Sequence, residues 1–128
     1  MPEFSETRLP DSELEVMLVL WQHSQPIRTA QILQEIGPRR SWTLSTLKAL
    51  LGRLDEKGFV EVTRQGRFTL YRALVAEADY RRRETKTLVQ RYYQNSVKSM
   101  VAALVSEGSL SREDLDELRQ IIQNARED

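Results

Sequence analysis

Cysteine is absent from the 128-residue chain. That single absence removes disulfides, thiolate nucleophiles and cysteine-built zinc or copper sites together, and it suits a reducing cytosol. Histidine occurs once, at His23, so an imidazole-based metal site lacks partners. Glycine is sparse, and its five residues form no phosphate-cradling loop. No apolar run approaches the ~18 residues needed to cross a bilayer. The opening "MPEFSETRLPDSELE" is acidic and polar, unlike a secretory leader. The acids Asp114, Asp116 and Glu117 sit on one helix surface beside a cap, so they read as solubility and dipole residues rather than a catalytic dyad. The expectation is a cytoplasmic, non-enzymatic chain with no cofactor, no metal and no membrane insertion.

Net charge is also missing, but only from the total. Residues 1–38 carry 2 Lys/Arg against 6 Asp/Glu, residues 39–91 carry 13 against 6, and residues 92–128 carry 4 against 7. A basic centre between acidic ends reads as a local binding surface that the sum conceals.

Apolar spacing then orders the chain. "DSELEVMLVLWQH" predicts a first helix over 11–23, with Asp11 as N-cap and Leu14, Met17, Leu18 and Trp21 as an i, i+3, i+4, i+7 stripe. "TAQILQEIGP" predicts a second, capped by Thr29, with Ile32, Leu33 and Ile36 inward and Gly37-Pro38 as its stop. A third starts near Thr43 and ends at Gly58, with Leu47, Leu50, Leu51 and Leu54 as its stripe. Beyond Gly58 the period changes from 3.6 to 2, and "FVEVTRQGRFTLYRAL" reads as a hairpin turning at Gln65-Gly66 or through a slightly longer loop. Residues from Glu77 onward read as three more helices, the last opened by Ser111 and Asp114 at capping-box spacing.

The outer face of the third helix is unusual. At about 100° per residue it holds Ser45, Lys48, Ala49 and Gly52 instead of the long polar residues of an ordinary surface helix. Gly52 alone costs about 1 kcal/mol of helix propensity relative to Ala. Small side chains suit either close helix–helix packing or insertion into a DNA groove. The helix order, the hairpin tip "TRQGRF" with Arg64 and Arg67, and the basic centre favour DNA. The expected fold is mainly α with a small β-hairpin wing: a winged helix-turn-helix over 1–76, followed by a helical dimerisation region over 77–128. Thin C-terminal helices cannot enclose a core of their own, and a second copy is the simplest cover. Its expected contacts are Val97, Met100, Val101, Leu104, Leu115, Leu118, Ile121 and Ile122. Arg28, Thr29, Arg39 and Arg40 are candidate phosphate contacts, although each taken singly reads as a cap or a solvated charge. Trp42 is open between packing and phosphate contact, and Trp21 reads as core.

The stretches "LPDSELEVMLVLW", "SWTLSTLKALLGRLDEKGFV", "RFTLYRALVAEADY" and "SVKSMVAALVSEG" together resemble the penicillinase and methicillin-resistance repressor family, which also includes copper-transport repressors. The resemblance runs collinearly from about residue 10 to 122. It implies a homodimeric repressor on a palindromic operator of double-stranded DNA, with third-helix and wing contacts at Thr43, Ser45, Thr46, Lys48, Arg53 and Arg67; Arg28, Thr29, Trp42 and Ala49 join the candidate DNA contacts from the reading of the residues above. Antibiotic-resistance genes are the class it implies as controlled. In the antibiotic-responsive branch a membrane sensor-protease pathway leads to cleavage of an Asn-Phe bond. The corresponding position here is Ala103-Leu104, a departure from that pattern. The copper branch senses through a Cys-x-Cys pair that this chain lacks. The alternative, from another class, is a winged-helix protein-interaction module without specific DNA binding.

Overall fold

The computed structural model describes residues 8–37 and 39–126. Its elements run α1 (Asp11–Leu20), β1 (Ile27–Arg28), α2 (Thr29–Ile36), α3 (Leu44–Glu56), β2 (Val60–Gln65), β3 (Phe68–Ala73), α4 (Glu77–Tyr93), α5 (Val97–Ser106) and α6 (Arg112–Arg126). The strands form an antiparallel sheet in the order β1-β3-β2. This is a winged helix: three helices, then a hairpin. The chain divides into two compact units, Met1–Glu84 and Thr85–Asp128, with the boundary inside α4.

In the first unit, Val16, Met17, Leu20, Ile32, Ile36, Leu47, Leu51, Leu54 and Phe59 are all but sealed from solvent. The α3 stripe is the expected one, and all four leucines are buried. α1 differs. It ends at Leu20, three residues before the expected stop, and its N-cap is Pro10, with Asp11 the first helical residue. Its buried face is Glu13, Val16, Met17, Val19 and Leu20, while Leu18 is 38% exposed and Leu14 and Trp21 are half-buried. The run "VMLVLW" is apolar on every side, so spacing alone does not select a face. A long-range contact does: Glu13, 3% exposed, accepts from Lys57 Nζ at 2.5 Å. A buried carboxylate requires such a partner, and this one ties α1 to the end of α3.

Two turns depend on glycine. Gly58 sits at φ +81° after α3. There its N–H donates to Asp55 and that of Phe59 to Leu54, the paired bonds of a Schellman ending that delivers Phe59 into the core. At the hairpin tip Gln65 pairs with Phe68, so the two loop residues are Gly66 and Arg67, one position later than expected. Positive φ is confined to Gly66 at +63°, as in a two-residue turn with Gly in its first position.

In the second unit, Ser96 caps α5 by accepting from the Ser99 N–H, and Ser111 and Asp114 exchange the two bonds of a capping box at α6. Both helices contain no buried residue.

Candidate nucleic-acid interface

Burying four leucines turns the opposite side of α3 to solvent. Ser45, Thr46, Lys48, Ala49, Gly52 and Arg53 are all exposed. A Cβ built on Gly52 meets nothing within 4 Å, so no neighbouring element explains the glycine. The helix is anchored at its start by Thr43, the N-cap, whose Oγ1 accepts the Thr46 N–H at 3.1 Å. The Thr43 hydroxyl also donates to Thr46 Oγ1 at 3.1 Å, which leaves the Thr46 proton to donate outward.

The segment leading into α3 is fixed from below. Arg40 holds Glu15 of α1 through its Nε at 2.7 Å and through a second guanidinium nitrogen. Its guanidinium also lies 5.5 Å from the centre of the Trp42 ring, and that ring packs against the hydrophobic core. The hydrogen bond from Arg40 is the main reason the Glu15 carboxyl lies below its ordinary pKa, and the same bond raises that of Arg40. Of the two roles left open for Trp42, packing is visible. Arg40, though exposed, is engaged with Glu15.

The wing is joined to α2 by β1, a two-residue strand the spacing does not announce. Ile27 pairs with Tyr71 and Arg28 with Leu70. Arg28 is itself the N-cap of α2, with Thr29 the first helical residue, so the expected Thr29 cap is shifted by one. The Thr29 hydroxyl lies 3.5 Å from the Thr69 carbonyl oxygen. The Arg28 guanidinium stands 4.3 Å over the ring of Phe68, the first residue of β3 and 46% exposed. Sequence reasoning passed over Phe68. An exposed aromatic two residues after the turn glycine was the available signal. Gly37 takes the αR conformation at the end of α2, and Pro38 lies outside the described residues.

Ion pairing sorts the basic centre. Arg72 pairs with Glu61 across the hairpin at 2.7 Å, Arg81 with Glu77 at 2.9 Å and Arg82 with Asp79 at 3.2 Å. Among the described residues Lys48 and Arg53 on α3, and Arg64 and Arg67 on the hairpin, have no acidic partner. Uncompensated positive charge therefore lies on α3 and the wing, where phosphates would be met, and among the described residues also at Arg39 and at Arg83, Lys86 and Arg91 of α4. Among the described residues no group of three His, Cys, Asp or Glu side chains could hold a metal ion. No described helix is long and apolar enough to cross a membrane.

A sequence profile of the penicillinase repressor family matches residues 9–124. The chain belongs to that family. The penicillinase repressor of Bacillus licheniformis is 33% identical over 116 residues, covering 91% of this chain and 90% of that protein. The methicillin resistance regulatory protein MecI of Mammaliicoccus sciuri is 29% identical over 114 residues, 89% of this chain and 92% of that one. Among solved structures, the DNA-binding domain of the repressor BlaI matches with a TM-score of 0.54 at 34% identity, covering 62% of this chain and 94% of that one. Monomeric Bacillus licheniformis BlaI in complex with the blaP half-operator matches with a TM-score of 0.51, also at 34% identity and with the same coverage. The Staphylococcus aureus transcription regulator MepR shares the fold alone, at 15% identity and a TM-score of 0.53.

The remaining expected residues of this penicillinase repressor family member lie in the second unit. Val97, Val101, Leu104, Leu115, Ile121 and Ile122 are between 37% and 62% exposed, and Met100 and Leu118 are half-buried. Ala103 and Leu104 lie in the last turn of α5.

Proposed function

We propose that the chain is a cytoplasmic homodimeric repressor that seats α3 in the major groove of a palindromic operator. The observation that carries the reading is the pairing of a smooth, exposed α3 face with the uncompensated cations of α3 and the wing. Membership of a repressor family, and the half-operator complex of BlaI, add to it. Ser45, Thr46 and Lys48 reach base edges or phosphates, and Ala49 and Gly52 let the helix sit deep. Arg28, Thr29, Thr43, Arg53 and Arg67 meet the backbone, and Trp42 supports the start of α3. The second unit holds two copies together through the α5 and α6 faces, so that two α3 helices read two half-sites. Names of the relatives suggest antibiotic-resistance genes as the regulated class.

Release follows from loss of the dimer. Cleavage at Ala103-Leu104 by a membrane sensor-protease pathway is one such route, and it requires α5 to open locally, because a protease needs extended backbone.

The test is selection of genomic fragments by the purified protein, followed by titration against salt. Enrichment of a two-fold symmetric sequence is expected, with affinity falling steeply as salt rises. Lys48→Ala combined with Arg67→Ala should weaken binding and lower the salt slope by about 1 for each phosphate that goes unneutralised. Unchanged affinity in the double variant refutes the helix-and-wing assignment. Recovery of only unselected DNA, with no salt dependence, shifts the reading to a protein partner.

A further inference from the structure

Among the basic side chains near the wing, Arg28 is held in an unusual way. It pairs with Leu70 of β3, and Phe68 lies two residues before Leu70 on the same strand. Side chains alternate across a strand, so Arg28 and Phe68 project from one face of the sheet as diagonal neighbours. That face is the outward one, because Ile27 and Val60 on the other are buried. The pairing brings the Arg28 guanidinium 4.3 Å over the Phe68 ring. Although Arg28 is the N-cap of α2, its side chain makes no capping bond. Among the described residues it forms no ion pair either.

What distinguishes this partner is what it leaves free. Arg40 and Arg72 spend N–H donors on Glu15 and Glu61. A phenylalanine ring attracts the cation but has no acceptor oxygen, so the charge stays uncancelled and the forked donors stay open. An unconfined arginine gives up rotamer freedom when it binds. A ring that already confines Arg28 lowers that cost, and the fork suits the paired oxygens of a phosphate. Phe68 begins β3 beside the wing turn, so a single contact ties the cation at the start of α2 to the wing.

We propose that Phe68 is a positioning residue for DNA binding: it holds Arg28 ready to grip a backbone phosphate and does not itself touch DNA. The inference rests on the DNA reading above. It concerns a backbone contact, so it needs no palindromic operator.

A mixed-sequence DNA duplex is the probe, bound to the full chain and followed by fluorescence anisotropy over a salt series. Phe68→Leu should weaken binding about two- to five-fold and keep the salt slope of the parent, because the charge remains. Arg28→Ala should weaken binding and lower the slope by about 1. In the Arg28→Ala background, Phe68→Leu should have no further effect. Phe68→Tyr keeps the ring and should bind like the parent. Without DNA, the Arg28 δ-methylene protons should be shifted upfield by the ring in the parent and return to ordinary values in Phe68→Leu. Equal losses from Phe68→Leu in both backgrounds overturn the proposal, because the ring then acts on its own. Full affinity in Phe68→Leu, or no ring shift at Arg28, overturns it too. All three outcomes leave the DNA reading standing. A parent chain that binds no duplex even at low salt refutes that reading and this inference with it. Phe68 is 46% exposed, so the Leu variant opens no core cavity, and the ring shift reports the contact independently of affinity.

Discussion

Glu15 is half-buried on α1, and the side chain that stabilises its charge belongs to the segment leading into α3. Because Arg40 holds the carboxyl below its ordinary pKa, folded Glu15 releases its proton at lower pH than unfolded Glu15, whose reference value is about 4.3. The unfolded chain thus binds more protons in that interval, and the stabilisation is present above about pH 4.3 and fades as pH falls through the folded value. Arg40→Gln removes it. In urea denaturation from pH 7 down to pH 3, the variant should be less stable at neutral pH and converge on the parent chain in acid. A difference that stays constant across this range contradicts the linkage. Glu35 is lowered as well, chiefly by its hydrogen bond from His23 at 3.0 Å, and it is common to both proteins, so it cancels from the comparison. His23, without metal partners in the sequence, thus has an observed use: it links the segment after α1 to α2. Neither pair is legible from spacing, because Glu15 and Arg40 are 25 residues apart and helical periodicity reports only neighbours within two turns.

At the scale of the element, α3 separates what stability prefers from what the groove requires. The space around Gly52 is open, and Ala is the better helix former by about 1 kcal/mol. Gly52→Ala should therefore raise the unfolding free energy by about 0.5–1 kcal/mol. Gly52→Gln should also fold at least as well, since Gln outranks Gly in helix propensity, yet weaken operator binding ten-fold or more by holding the helix off the bases. If Gly52→Gln binds as tightly as the parent, the glycine is incidental and α3 does not approach DNA at that turn. This element was the most legible of all, because four leucines at one spacing fix both its buried and its outward face. β1 was not legible, for the opposite reason: two residues have no period, and their pairing with β3 appears only once the hairpin is folded. The wing turn moved by one position because a Gly can be either the first or the second loop residue, and the Gln65–Phe68 register settles which. In α1 the apolar residues circle the helix, so the sequence offered two faces. The ion pair between Glu13 and Lys57 selects the buried one.

For the whole molecule, the two units differ most in burial. The first unit has a closed core, whereas α5 and α6 expose Val97, Leu104, Ile121 and Ile122 and bury nothing. In the proposed dimer these faces cover one another across two chains. Each apolar side chain removed from water contributes about 1.5–3 kcal/mol, so an aspartate at that interface is costly. Leu104→Asp lies far from α3 in the chain and leaves its surface intact, so its effects on full and half operators should differ. Affinity for an isolated half-operator should stay within about two-fold of the parent, because one winged helix contacts one half-site. Affinity for the full operator should fall by a factor of about 10²–10⁴ toward the half-operator value, since the second α3 no longer arrives at high effective concentration. Sedimentation of the variant should give a monomer, and gel-shift titrations on the two DNAs provide the comparison. A variant that sediments as a monomer yet binds the full operator like the parent would refute dimer avidity as the source of affinity. One that loses half-operator binding as well would place Leu104 in the folding of the first unit rather than between the two copies.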